Sequence, residues 1–199
     1  MSDSMTSNAT TTSATTSSAT TSNATTSSAT MSRAATSGTK RSIHLYGANI
    51  DTDVILPGKY LNLYTPEELG PHCLEGLDPS FIQRVRPGDV IIAGSNFGTG
   101  SSREHAPIAI KAAGISCIIA PSFARIFYRN AINIGLPVFE CADIVAAVKN
   151  GDMIEADIAK GLFTVNDVVF QAKPFPPYIQ DIINAGGLVP FVSRQLKQN

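Results

Sequence analysis

The residues best suited to chemistry sit together in one stretch, Gly94–Pro107, GSNFGTGSSREHAP. It combines three glycines, the paired hydroxyls of Ser101 and Ser102, and the guanidinium of Arg103. Glycines let a backbone approach a ligand closely, and amides at a helix start offer donors to an anion. An arginine fork matches a carboxylate. A serine set among such amides and cations has its alkoxide stabilised and can act as a base. That combination suits removal of a proton from a carbon beside a carboxylate.

Three familiar glycine loops fail on specific residues. A dinucleotide fingerprint needs a third glycine where Arg103 stands. A Walker loop needs a lysine before its Ser/Thr, and a nucleophile elbow needs a glycine two residues after its serine; neither is present. A purely structural use stays open. Ser101-x-x-Glu104 fits a helix capping box, although Pro107 would remove a donor from a helix starting at Ser102 and crowd the carbonyl of Arg103.

The elements that must position this stretch follow from apolar periodicity. Ser42–Gly47 reads as a strand, followed by a polar loop with a short apolar run, Val54–Leu56, stopped by Pro57-Gly58. Thr65 caps a short helix with Pro66 in its first turn and Glu67 and Glu68 at the positive end. Another helical turn follows within DPSFIQRV. Asp89–Ala93, ISCIIAP and LPVFEC are buried strands. They alternate with helices beginning near Ala106, at a Ser122 cap, and in ADIVAAVKNG. Continuous apolar strands between helices indicate a parallel α/β core. Beyond it, period-two alternation around Gly161 and Asn166-Asp167 predicts antiparallel hairpins, then closing helical turns.

Composition narrows the classes. Residues 1–40 are almost wholly Ser, Thr and Ala, which reads as a disordered extension unable to bury a core. It has no apolar run for a signal or membrane span; its shortage of acid is compatible with an organelle transit peptide. Roughly 160 residues remain, enough for one domain. A formal net charge of −1 gives no sign of nucleic-acid or anionic-membrane binding. Cys73, Cys117 and Cys141 are widely spaced and odd in number, so no disulfide framework or self-contained metal site is expected, and a reducing, cytoplasmic setting fits.

Three segments taken together, NIDTDVILPGKYL, NFGTGSSREHAP and SFARIFYRNAINIGLPV, resemble the small subunits of 3-isopropylmalate dehydratase, the free-standing counterparts of the swivelling C-terminal domain of aconitase. The resemblance runs from about Ile43 to the C-terminus. It implies an α/β, three-layer β/β/α swivelling domain over residues 41–199. It also implies a heterodimer with a large subunit that carries a [4Fe-4S] cluster, with no metal bound by this chain. By motif position, Ser101 would be the catalytic base, with Ser102, Arg103 and Asp53 binding substrate. Glu104 and His105 would hold the turn. His44 and His72 read as core or surface histidines, and Arg125 and Arg129 as facing either the site or an interface.

The implied activity is that of a hydro-lyase of leucine biosynthesis interconverting 2- and 3-isopropylmalate. The loop Tyr60, Leu61, Asn62, Leu63, Tyr64 would set substrate choice, since it is apolar where relatives acting on tricarboxylates place an arginine. An isopropyl group gains by burial there and a carboxylate loses. A smaller apolar arm, as in 2,3-dimethylmalate, fits the same loop, and Lys59 keeps a homoaconitase-type tricarboxylate in view. A non-catalytic carboxylate-binding module on the same fold is the alternative of a different class.

Overall fold

The computed structural model describes residues 39–197. The extension expected over residues 1–40 lies outside them except for its last two residues. The elements run β1 (Arg41–Tyr46), α1 (Thr52–Ile55), α2 (Pro66–Leu69), α3 (Phe81–Arg84), β2 (Val90–Ala93) and α4 (His105–Ala112). They continue with β3 (Cys117–Ala120), α5 (Arg125–Asn133), β4 (Val138–Glu140), α6 (Ala142–Ala147), β5 (Met153–Asp157), β6 (Leu162–Val165), β7 (Val168–Gln171), α7 (Pro177–Asn184) and α8 (Leu188–Leu196).

One seven-stranded sheet has the order β4-β3-β2-β1-β5-β6-β7. The first four strands are parallel, with Ile43 beside Val90, Val90 beside Cys117 and Ile118 beside Val138. The last three are antiparallel and join through β1. Every residue of β2 and β3 is buried, as expected of strands covered on both faces, whereas β5 to β7 are only partly buried. Asn166 and Asp167 both have positive φ, +49° and +65°, which the tight turn between β6 and β7 requires.

The sheet curls onto itself. Phe139 of β4 and Phe163 of β6 stand five places apart in the order, about 24 Å in a flat sheet. Their ring centroids are nevertheless 5.0 Å apart, edge to face, and Phe175 joins Phe139 at 4.7 Å. The antiparallel part therefore packs over the parallel part, and helices cover the rest: the layering is β/β/α in a mixed α/β fold. The fully buried rings and β2–β3 isoleucines each contribute about 1.5–3 kcal/mol of burial.

Local expectations differ from the structure in two places, and one alternative left open by the sequence is closed. The apolar run after Asp53 belongs to a one-turn helix, α1, because the Asp51 carboxylate accepts from the Asp53 amide at 2.7 Å and caps it. Ser122 does not cap α5; Ala124 occupies that position, and the Ser122 hydroxyl accepts from the Asn96 amide at 3.0 Å instead. The Ser101–Glu104 capping box does not form, because α4 starts only at His105 and Glu104 makes no side-chain cap. At α2 the capping box does form, with Thr65 and Glu68 bonded reciprocally.

Candidate active site

Because β1, β2 and β3 are parallel, the loops that follow them emerge at one end of the sheet, where α/β folds place their ligands. Backbone hydrogen bonds stitch these three loops together. The amides of Gly98 and Thr99 donate to the Ile50 carbonyl at 2.8 and 3.2 Å, and the Thr52 amide donates to Thr99 at 2.8 Å. On the other side Phe97 donates to Ser122 at 3.1 Å, and Ala124 donates back to Phe97 at 2.9 Å. Phe97 is fully buried, edge-on to Phe127 at 5.2 Å, and anchors the loop in the core.

Two glycines are required by this geometry. Gly98 has φ +77° and lies against the Phe127 ring; Gly100 has φ +91° and lies against the Asp51 carboxylate. A side chain at either position would be strained and would have no room.

Ser101 and Ser102 follow at the exposed tip. Thr52, 1% exposed, grips the Ser101 peptide from below: its hydroxyl accepts from the Ser101 amide and donates to the Ser101 carbonyl, both at 3.1 Å. Thr52 was not singled out in the sequence, where it looks like one more polar loop residue beside Asp53. Arg103 turns back toward α1, pairs with Asp53 and donates to the Leu56 carbonyl at 3.3 Å. Ser101, Ser102, Arg103 and Asp53 are thus brought into one neighbourhood.

Arg125 and Arg129 line a cleft of about 440 Å³ with Gly98, Thr99, Gly100 and Ser101. This places both arginines at the site. They also border a larger, mainly apolar groove of about 720 Å³ between α5 and α7, so the interface reading is compatible as well.

The loop expected to set specificity runs alongside. It begins next to Arg103, since a β-carbon on Gly58 would stand 3.8 Å from a guanidinium nitrogen. It ends with Tyr64, whose ring is 6.1 Å from that of His105. Leu61 is half-buried, Leu63 is half-buried against the core, and Asn62 and Tyr64 are exposed. Tyr60 is directed elsewhere: its hydroxyl donates to Glu75 at 2.6 Å and its ring stacks on His72 at 3.7 Å. Lys59 pairs with the same carboxylate at 2.8 Å. Bonds from Lys59, Tyr60 and His72 hold the Glu75 carboxyl at about 2.

All three cysteines are buried, and burial pushes the Cys117 thiol up to about 12 and that of Cys73 higher still. Among the described residues no three His, Cys, Asp or Glu gather as a metal site. His44 is buried and bonded to Asp89 at 3.0 Å near the start of β2. No described helix is long and apolar enough to cross a membrane.

The aconitase C-terminal domain family matches residues 82–142, from α3 through the serine loop to β4. A 3-isopropylmalate dehydratase small subunit of Caldicellulosiruptor saccharolyticus is 56% identical over 162 residues, covering 80% of this chain and 94% of that protein. The chain belongs to the 3-isopropylmalate dehydratase small-subunit family. Its relatives within the aconitase superfamily include a 2,3-dimethylmalate dehydratase small subunit of Eubacterium barkeri, 54% identical over 158 residues, with 77% and 96% of the two chains covered. A crystal structure of 3-isopropylmalate dehydratase from Methanocaldococcus jannaschii superposes with a TM-score of 0.74 at 44% identity, over 80% of this chain and 96% of that one.

Proposed function

We propose that this chain is the small subunit of 3-isopropylmalate dehydratase, a hydro-lyase interconverting 2- and 3-isopropylmalate in leucine biosynthesis, active only with its large subunit. In this reading residues 41–199 are the swivel domain and the complex is cytoplasmic. The observation that carries it is the placement of Ser101. Its peptide is clamped by Thr52 at the loop end of the parallel strands, Arg103 follows two residues on and pairs with Asp53, and Arg125 and Arg129 line a cleft with it. Relatives bearing that name at 53–56% identity support the substrate.

The chemistry assigned to this chain is proton transfer. Cationic groups and loop amides favour the Ser101 alkoxide over the hydroxyl. The alkoxide takes the proton from the carbon of 3-isopropylmalate that carries the isopropyl group and a carboxylate. The released electron pair forms a double bond as hydroxide leaves the neighbouring carbon, so one water is lost. Returning the proton to one carbon and hydroxide to the other gives either isomer. Arg103 holds a substrate carboxylate, exchanging it for Asp53, and Ser102 contributes to the polar cradle. The [4Fe-4S] cluster, with the Lewis acidity it supplies when bound, is left to the large subunit.

The test is anaerobic turnover of 3-isopropylmalate by this chain mixed with a cluster-loaded large subunit, each subunit alone serving as control. Activity in the mixture only is the expected result, and S101A should abolish it. A carboxylate-binding module would instead keep its ligand affinity in S101A and show no turnover in any mixture. With a bound, well-folded pair, turnover of 2,3-dimethylmalate but not of 3-isopropylmalate would replace the substrate.

A further inference from the structure

The turn that starts the specificity loop carries a contradiction. A β-carbon on Gly58 would stand 3.8 Å from the guanidinium of Arg103, so Lys59, the next residue, leaves the backbone near the place assigned to a substrate carboxylate. A mobile ammonium there would attract a third carboxylate and disfavour an apolar arm. The structure resolves this through Glu75. One oxygen holds Lys59 at 2.8 Å; the other accepts from Tyr60 at 2.6 Å and meets His72 Nδ1 at 2.9 Å. Tyr60 is fixed again by stacking on His72, and the Lys59 ammonium sits 4.7 Å over the Tyr60 ring. Glu75 lies in the turn that follows α2, where the Leu74 amide donates to Ile55 at 2.7 Å, so the carboxylate is anchored to α1.

We infer that Glu75 is a specificity-determining residue: by holding Lys59 and Tyr60 it leaves the leucines of the loop to meet an apolar arm and withholds a cation from a charged one. This rests on the substrate reading above. Glu75 touches no reacting atom; it acts through Lys59. Specificity is then set partly by an internal ion pair that removes an attraction for the wrong substrate.

The test uses the assembled two-subunit enzyme and isocitrate, which has a carboxymethyl arm in place of the isopropyl group, as an inhibitor of 3-isopropylmalate turnover. In E75Q the isocitrate inhibition constant should fall by at least about tenfold, the scale of one charge-assisted hydrogen bond. E75Q/K59M should return it to the wild-type value. K59M alone should leave it unchanged, because Lys59 is already withheld. E67Q, which removes an exposed charge on α2 without freeing Lys59, should also leave it unchanged. An unchanged constant in E75Q, a tightening that survives in E75Q/K59M, a weakening in K59M alone, or an equal tightening in E67Q each overturns the inference. A wild-type complex that leaves 3-isopropylmalate untouched overturns the substrate reading, and the inference with it. A wild-type complex that turns it over while the variants stay flat overturns only the role of Glu75.

Discussion

Replacing Thr52 with valine removes a hydroxyl from a site 1% exposed while keeping its branched shape. Two hydrogen bonds to the Ser101 peptide, both 3.1 Å, are lost together. At about 0.5–1.5 kcal/mol each, the cost is about 1–3 kcal/mol. For a domain of this size, that lowers the melting temperature by about 2–12 °C. The catalytic effect should be of comparable size in free energy and should appear in kcat. Thr52 fixes the peptide of the residue proposed to take the proton from substrate, and a shift of about 1 Å in a reacting group costs on the order of a hundredfold in rate. T52V should therefore lower kcat by tens-fold to about a hundredfold with little change in KM, and T52S should restore it. The assay is steady-state turnover of the assembled enzyme beside a melting curve of the isolated chain. T52V with kcat within about threefold of wild type would refute the clamp, since the loop would then hold Ser101 without it.

Other outcomes follow from the same geometry. G98A, at φ +77° against the ring of Phe127, should destabilise by about 2–6 kcal/mol from backbone strain and overpacking together, read in denaturant melts; a variant as stable as wild type would show that the loop can move off the ring. R129Q should lower kcat/KM for the doubly charged substrate by about tenfold or more and raise the pH at which the rate levels off, because the cleft beside Ser101 loses positive charge. Cys117, its thiol pushed up to about 12 by burial, should resist alkylation near neutral pH until the chain unfolds; mass spectrometry of pulse-labelled protein reads this directly. Glu75 should titrate at about 2 by NMR. Its contribution is full above the unfolded value, about 4.3, and is lost as pH falls through the folded one; a midpoint near 4 would mean that Lys59 and Tyr60 are not held.

Much of the architecture was legible because burial writes a plain pattern. The unbroken apolar runs of β2 and β3 and the alternation across β5 to β7 mark two kinds of sheet before any coordinates are seen. The curl bringing Phe139 to Phe163 was not legible from periodicity, which records the face a residue uses and not which distant strand meets it; only the family resemblance pointed to it. At the site, Ser101, Ser102, Arg103 and Asp53 stand out by chemical type. The stitching of the loops does not, because its bonds are between backbone groups that every residue carries. Thr52 and Glu75 share that difficulty: their importance comes from what they face across 49 and 15 residues of chain. Ser101–Glu104 shows the converse, a local pattern that fits the capping-box rule although α4 starts only at His105, close to the Ala106 read from the sequence.

The pairing of Arg103 with Asp53 has a consequence for turnover. In the proposed reaction a guanidinium already holding a carboxylate would receive substrate by exchange of like for like, so the free energy gained there would be a small difference and not a whole ion pair. When product departs, Asp53 restores the partner and no bare charge is left behind. Affinity at this point is thereby capped, dissociation is eased, and added salt weakens the resting and the loaded pair alike. A reaction whose two directions share one intermediate, and whose substrate and product are isomers, is served by a grip that releases either as readily as it takes the other.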